Sequence, residues 1–154
     1  MIIKNKMNIY IASDHAGFEL KNNLAEFIKS LGFTVIDKGP FSLDENDDYP
    51  DFVRLVASEI LKDPDGTKGI ILGGTGQGEA MVVNRHKGIR AAVYYGGSTD
   101  ILTLSREHNN ANILSLGARF VGLDEAEKAV KLWLETSFSA EERHKRRIDK
   151  IDSF

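Results

Sequence analysis

The fold predicted for this chain is α/β: a three-layer α/β/α sandwich, doubly wound around a five-stranded parallel sheet. Three observations predict it. Short β-branched runs alternate with longer helical periods from residue 8 onward, and glycine or proline turns such as Gly39-Pro40 and Pro64-Asp65-Gly66 separate them. No linker, repeat or shift in composition interrupts the 154 residues, so a single domain spanning 1–154 is expected.

The elements follow in order. Asn8–Ser13 (NIYIAS) reads as a buried strand, and Leu20, Leu24, Phe27, Ile28 and Leu31 then share one helical face that Gly32 ends. Thr34–Lys38 is the second strand. Val53, Val56, Ala57, Ile60 and Leu61 mark the second helix, and Gly69–Leu72 begins the third strand. The turn GGTGQG leads into a short helix from about Glu79, followed by strand four (Arg90–Tyr94) and helix four (Thr99–His108). Ile113–Leu116 is strand five. Helix five carries Ala126, Val130, Trp133 and Leu134, and Ser139 with Glu142 forms a capping-box pattern opening a last, basic helix.

Composition excludes several functions. With no cysteine, disulfide frameworks, zinc ribbons, iron–sulfur ligation and thiol nucleophiles are ruled out. The net charge of −3 gives no overall attraction to nucleic acid or to an anionic membrane. The opening MIIKNKMNIYIASDH lacks a long apolar run and no stretch of eighteen apolar residues follows, so the cytoplasm is the expected compartment. Asp44-x-Asn46-x-Asp48 begins like a calcium loop, but Tyr49 stands where glycine is needed and Leu55 where glutamate belongs. The four histidines, at 15, 86, 108 and 144, show no metal-ligand spacing, so neither metal nor cofactor is expected.

In a doubly wound sheet, ligands bind beyond the carboxyl ends of the strands where strand order reverses. With the common order 2-1-3-4-5, that point lies between strands one and three, which selects the loops at 13–17 and 73–79. Four glycines in six residues can gather backbone N–H groups around an anion or a developing oxyanion. The spacing matches neither a Walker loop nor G-x-G-x-x-G, since position 79 is glutamate. Glu79, in the first turn of a helix beside those amides, suits proton abstraction next to a carbonyl. Asp14 and His15 face the same crevice, although Asp14 also fits a plain helix cap. His108 is harder to place: its helix runs back toward the amino ends of the strands, putting it roughly 15 Å from its own crevice at 1.5 Å per residue. Either it is structural or it serves a neighbouring subunit. Arg143 and Arg147, at i and i+4, suit two guanidinium groups on one phosphate, and the absence of interleaved aromatics favours a small phosphorylated ligand over nucleic acid.

Taken together, SDHAGFELK (13–21), DYPDF (48–52), GGTGQGE (73–79), REHNNAN (106–112), GAR (117–119) and RHKRRID (143–149) resemble ribose-5-phosphate isomerase type B, of the RpiB/LacAB sugar-phosphate isomerases. The resemblance covers nearly the whole chain. It implies a Rossmann-like or flavodoxin-like fold, metal-independent aldose–ketose isomerisation through a cis-enediolate, and dimers or tetramers whose sites lie between subunits. By that resemblance Glu79 is the base, the amides of Gly74, Thr75, Gly76, Gln77 and Gly78 stabilise the enediolate, and His108 opens the furanose ring. Asp14, His15, Tyr49 and Asn109 would bind ring and hydroxyl oxygens, and Arg119, Arg143 and Arg147 the phosphate. Many members of the family carry a cysteine base where this chain has Gly73; the pattern G-G-S/T-G-x-G-E followed here belongs to a branch with a glutamate. Ribose 5-phosphate and ribulose 5-phosphate are the expected pair, with a six-carbon sugar phosphate (allose 6-phosphate or galactose 6-phosphate) as the alternative within the class. A non-catalytic phosphosugar-binding regulator and a flavodoxin-like carrier are the alternatives outside it. Residues 1–6 precede the usual start of the family, which leaves Met7 as a second possible initiator.

Overall fold

In a computed structural model, which describes residues 7–154, strand β1 (Asn8–Ser13) lies inside the sheet and β2 (Thr34–Asp37) pairs with its outer edge. The extension at 1–6 lies outside the described residues. Strand β3 (Thr67–Gly73) pairs with the other edge of β1, from Asn8 opposite Thr67 to Ser13 opposite Leu72. It starts two residues before the predicted Gly69, because Thr67 and Lys68 complete that ladder. Strand β5 (Ile113–Gly117) lies beside β3, and β4 (Ala91–Tyr94) closes the far edge, all strands being parallel.

The strand order is therefore β2-β1-β3-β5-β4 and not the expected 2-1-3-4-5. Burial accounts for the exchange. β5 is buried at every position, as a strand covered on both faces must be, whereas three of the four residues of β4 are only half-buried. The switch point between β1 and β3 survives, and the carboxyl end of β5 now lies next to that of β3.

Helices α1 (Phe18–Ser30), α4 (Asp100–Glu107) and α5 (Leu123–Glu135) cover one face, and α2 (Tyr49–Lys62) and α3 (Gln77–Val83) the other. Alternation along β3 divides the core: Ile70 and Leu72 pack with Leu24, Ile28 and Trp133, while Ile71 packs with Val53, Val56 and Ile60. Helix α6 (Glu142–Asp152) lies outside these layers and buries His144 and Ile148.

The expected capping box does not form. Glu141, not Ser139, precedes the first turn of α6 with no side-chain cap. The Ser139 hydroxyl is used elsewhere, donating to the Glu107 carbonyl at 2.8 Å and so tying the approach to α6 to the end of α4.

Candidate active site

Each side chain in the crevice is placed by the end of a parallel strand. Asp14 follows β1 and its carboxylate accepts from the Gly17 N–H at 3.1 Å, capping the 3-10 turn His15–Gly17. That turn carries His15, whose backbone N–H and Nδ1 both meet Asp47 Oδ1, at 3.2 and 2.8 Å. The hydrogen bond to Asp47 is the main reason the imidazole's pKa is raised, with Asp14 adding to it and burial and Arg119 opposing it. Because Nδ1 is committed to Asp47, Nε2 is the nitrogen left for a ligand. The second oxygen of Asp47 is buried without a partner among the described residues.

The glycine loop follows β3. Gly76 takes φ +78°, the left-handed region, where a side chain would strain the turn and meet the Leu116 backbone at 3.0 Å. Ser115 on β5 donates to the Gly76 carbonyl at 2.6 Å, and the amides of Ala118 and Arg119 donate to Gly73 and Gly74 at 2.8 and 3.1 Å. The loop's carbonyls are thus held from the β5 side. Its amides at Gly74, Thr75 and Gly76 have no partner among the described residues, while Gln77 N–H is taken by the Thr75 hydroxyl at 3.2 Å. Three unspent donors on one tight loop suit an oxyanion.

Glu79, in the first turn of α3, is buried at 3% exposure, and its carboxylate occupies the space where a side chain on Gly73 would lie. Glycine at 73 is thereby required by the glutamate at 79: one location holds either a side chain from the strand end or the carboxylate from the helix. Burial, with nearby Asp14, pushes the Glu79 carboxyl above the ordinary range, and its own N–H partly offsets this. Tyr49, the first residue of α2, places its hydroxyl 2.6 Å from the Cβ position of Gly78, and the exposed Arg119 guanidinium lies 3.0 Å from that of Gly74. Asp14, His15, Tyr49, the loop with its exposed Thr75 and Gln77, Glu79 and Arg119 therefore surround one crevice.

The other predicted residues gather elsewhere. His108 ends α4 and stacks on His144, with ring centroids 4.3 Å apart and planes 17° from parallel. Burial holds the His144 imidazole below the ordinary histidine value, helped by His108 and Arg143. Asn109 and Asn110 offer carbonyls to Arg90 Nε, just before β4 begins, so this group belongs to the amino ends of the strands. Arg143 and Arg147 are exposed on α6, Arg143 pairing with Glu141 at 3.1 Å. Within one chain His108, Asn109, Arg143 and Arg147 are separated from Glu79 by the length of the strands.

Two contributors escaped sequence reasoning. Asp47 sits in an acidic run that reads as a solvated face, and its contact with His15 spans 32 residues. Ser115 is a small residue inside an apolar strand, and only the adjacency of β5 to β3 reveals its bond to the loop.

The chain is similar to known proteins over nearly its whole length. A family model described as Ribose/Galactose Isomerase matches residues 9–151. A probable ribose-5-phosphate isomerase B of Mycoplasma genitalium is 46% identical over 144 residues, covering 94% of this chain and 93% of its own. Ribose-5-phosphate isomerase B of Mycobacterium leprae is 40% identical over 148 residues, 96% of this chain and 90% of its own. Among solved structures, ribose-5-phosphate isomerase B from Mycoplasma genitalium with bound ribulose-5-phosphate has a TM-score of 0.92 at 45% identity, with 97% of each chain covered. The Thermotoga maritima ribose 5-phosphate isomerase has a TM-score of 0.88 at 42% identity, covering 96% of this chain and 99% of its own. With this match over nearly its whole length, the chain belongs to the ribose/galactose isomerase family.

Proposed function

We propose that this enzyme interconverts ribose 5-phosphate and ribulose 5-phosphate, with Glu79 as the base. The observation that carries the reading is a buried carboxylate beside three unspent loop amides, in a chain of this family. Ionised Glu79 takes the proton from C2 of the open-chain aldose. The C2–H electron pair becomes the C1–C2 double bond, and the carbonyl electrons move to O1, whose charge the amides of Gly74, Thr75 and Gly76 receive. A proton passes from the O2 hydroxyl to O1, and collapse of the enediolate through O2 then returns the Glu79 proton to C1, leaving the ketone at C2 and a hydroxyl at C1. The raised carboxyl pKa makes Glu79 a stronger base for the abstraction than an ordinary carboxylate. No step calls on a metal.

His15, held by Asp47, and Asp14 and Tyr49 serve ring and hydroxyl oxygens, and Arg119 serves the phosphate. His108 for ring opening, Asn109, Arg143 and Arg147 come from a second copy of the chain, because helix α4 carries His108 away from its own crevice. A homodimer, or a tetramer built from one, is the assembly this reading requires. The cytoplasm is its compartment, since phosphorylated sugars do not cross membranes unaided.

Glu79→Gln tests the assignment. Turnover of ribose 5-phosphate should fall about 10²-fold or more, with loss of C2 deuterium to solvent abolished and KM little changed. Unchanged turnover would remove Glu79 from the role of base. In a panel with allose 6-phosphate and galactose 6-phosphate, the five-carbon substrate should show the highest kcat/KM.

A further inference from the structure

A second polar cavity, of about 390 Å³, opens at the amino ends of the strands, at the opposite end of the sheet from the glycine loop. Its walls bring together Lys68 of β3, Arg90 just before β4 and Arg106 of α4, with Asn112 beside them and the carboxylates of Asp65 and Asp152. The cations are poorly compensated. Lys68 Nζ meets only the Met7 sulfur, at 3.3 Å, among the described residues. Arg106, 5% exposed, donates only to neutral groups: Nε to the Thr136 carbonyl at 3.1 Å, Nη1 to Asn110 Oδ1 at 3.0 Å and to the Ala111 carbonyl. Arg90 has one carboxylate, Asp152, at 3.4 Å, and Asp65 is exposed at the rim.

These charges burden one another. Burial and then Arg106 bring the Lys68 ammonium down to about 8, and burial and then Arg90 bring Arg106 down to about 10. Buried and half-buried cations with too little counter-charge are costly to the fold, and that cost is relieved when an anion enters. Two guanidinium groups and an ammonium around a concave wall match the oxygens of a phosphate group better than a planar or apolar ligand. The volume lies at the lower end of the range for small-molecule sites.

We propose that this cavity is a binding site for a phosphate group, free or carried on a small metabolite, distinct from the isomerase crevice. It does not depend on Glu79 as the base, although its test rests on the reading that Arg119, Arg143 and Arg147 hold the substrate phosphate. Phosphate binding at the crevice must be removed before this site can be read, so the test uses the full chain carrying Arg119→Ala, Arg143→Ala and Arg147→Ala, three exposed positions. Inorganic phosphate and glycerol 3-phosphate are titrated by calorimetry and by thermal shift against chloride at matched ionic strength. Both the calorimetric heat and the rise in Tm should persist in this background. Adding Lys68→Met should weaken binding about tenfold or more, the loss expected for one charge-assisted hydrogen bond. Tighter binding of glycerol 3-phosphate than of phosphate would identify a carried phosphate, and the reverse a free one. Absence of binding beyond the chloride control, or an affinity indifferent to Lys68→Met, overturns the proposal. Lys68→Met should itself fold at least as well as its parent without phosphate, because it removes a desolvated charge at similar volume; if it does not, Lys68→Gln provides the same comparison.

Discussion

Glu79 is a residue whose burial is unfavourable for folding at the place where the proposed chemistry calls for a base. Its pKa is raised by burial and by Asp14, so the fold favours the protonated form. The stability associated with that preference is fully present below the ordinary carboxylate pKa and is lost as pH rises through the higher folded value. Near neutrality the ionised side chain is a net cost. Glu79→Gln, neutral at every pH, should therefore have a higher Tm than the parent at pH 7, with the difference shrinking as pH falls below the ordinary carboxylate range. Thermal melts from about pH 3 to 8 check this. A constant difference across that range would mean that packing, not ionisation, separates the two. At this scale the motif was readable, since a glutamate two residues into a helix after a glycine loop is visible in the chain. Its burial was not, because the strand-end glycine that makes room for it has an ordinary appearance in sequence.

That glycine belongs to the scale of elements, where β3, its loop and α3 act as one unit. A Cβ at 73 and the Glu79 carboxylate exclude each other, so Gly73→Ala should lower stability and turnover together by displacing the carboxylate. The destabilisation should largely vanish in a Glu79→Ala background. A double-mutant cycle by chemical denaturation should return a coupling of about 0.5–3 kcal/mol, the range for residues in direct contact. Additive effects would show that the two do not compete for space. The same unit explains why strand order matters. Had β4 been the neighbour of β3, as the common order has it, the Ser115 hydroxyl and the Ala118 and Arg119 amides would be a strand's width from the loop. With β5 there instead, they hold the Gly73, Gly74 and Gly76 carbonyls and leave the neighbouring amides unspent. Hydrophobic periodicity identifies strands and helices well, as Asn8–Ser13 shows by its agreement to the residue. It does not rank two short apolar strands for a place at the centre of the sheet.

At the scale of the whole molecule, the candidate residues form two groups at opposite ends of the strands. Helix α4, eight residues long, carries His108 about 12 Å along its axis from the crevice end at 1.5 Å per residue. Mixing Glu79→Gln with His108→Ala subunits therefore provides a direct check. Subunit exchange should restore a fraction of activity, since some hybrid sites combine an intact Glu79 with an intact His108. No recovery despite demonstrated exchange would confine each site to one chain. Arg143 and Arg147 should behave as His108 does, both being exposed on α6 beside the His108–His144 stack.

By itself the sequence determined the class of fold, the loops that flank the switch point, and the exclusion of thiol chemistry, because periodicity, glycine spacing and the absence of cysteine are properties of the chain alone. It also determined the family, through six stretches spread from residue 13 to 149. Only the tertiary structure decided that β5 and not β4 supports the glycine loop, that Asp47 holds His15, and that the Glu79 carboxylate fills the space left by Gly73. Each of these is a contact made between distant segments at strand ends, where chain spacing carries no information about which groups will meet. The cluster of Lys68, Arg90 and Arg106 arises in the same way, from separate elements whose charges are unremarkable until the fold buries them together.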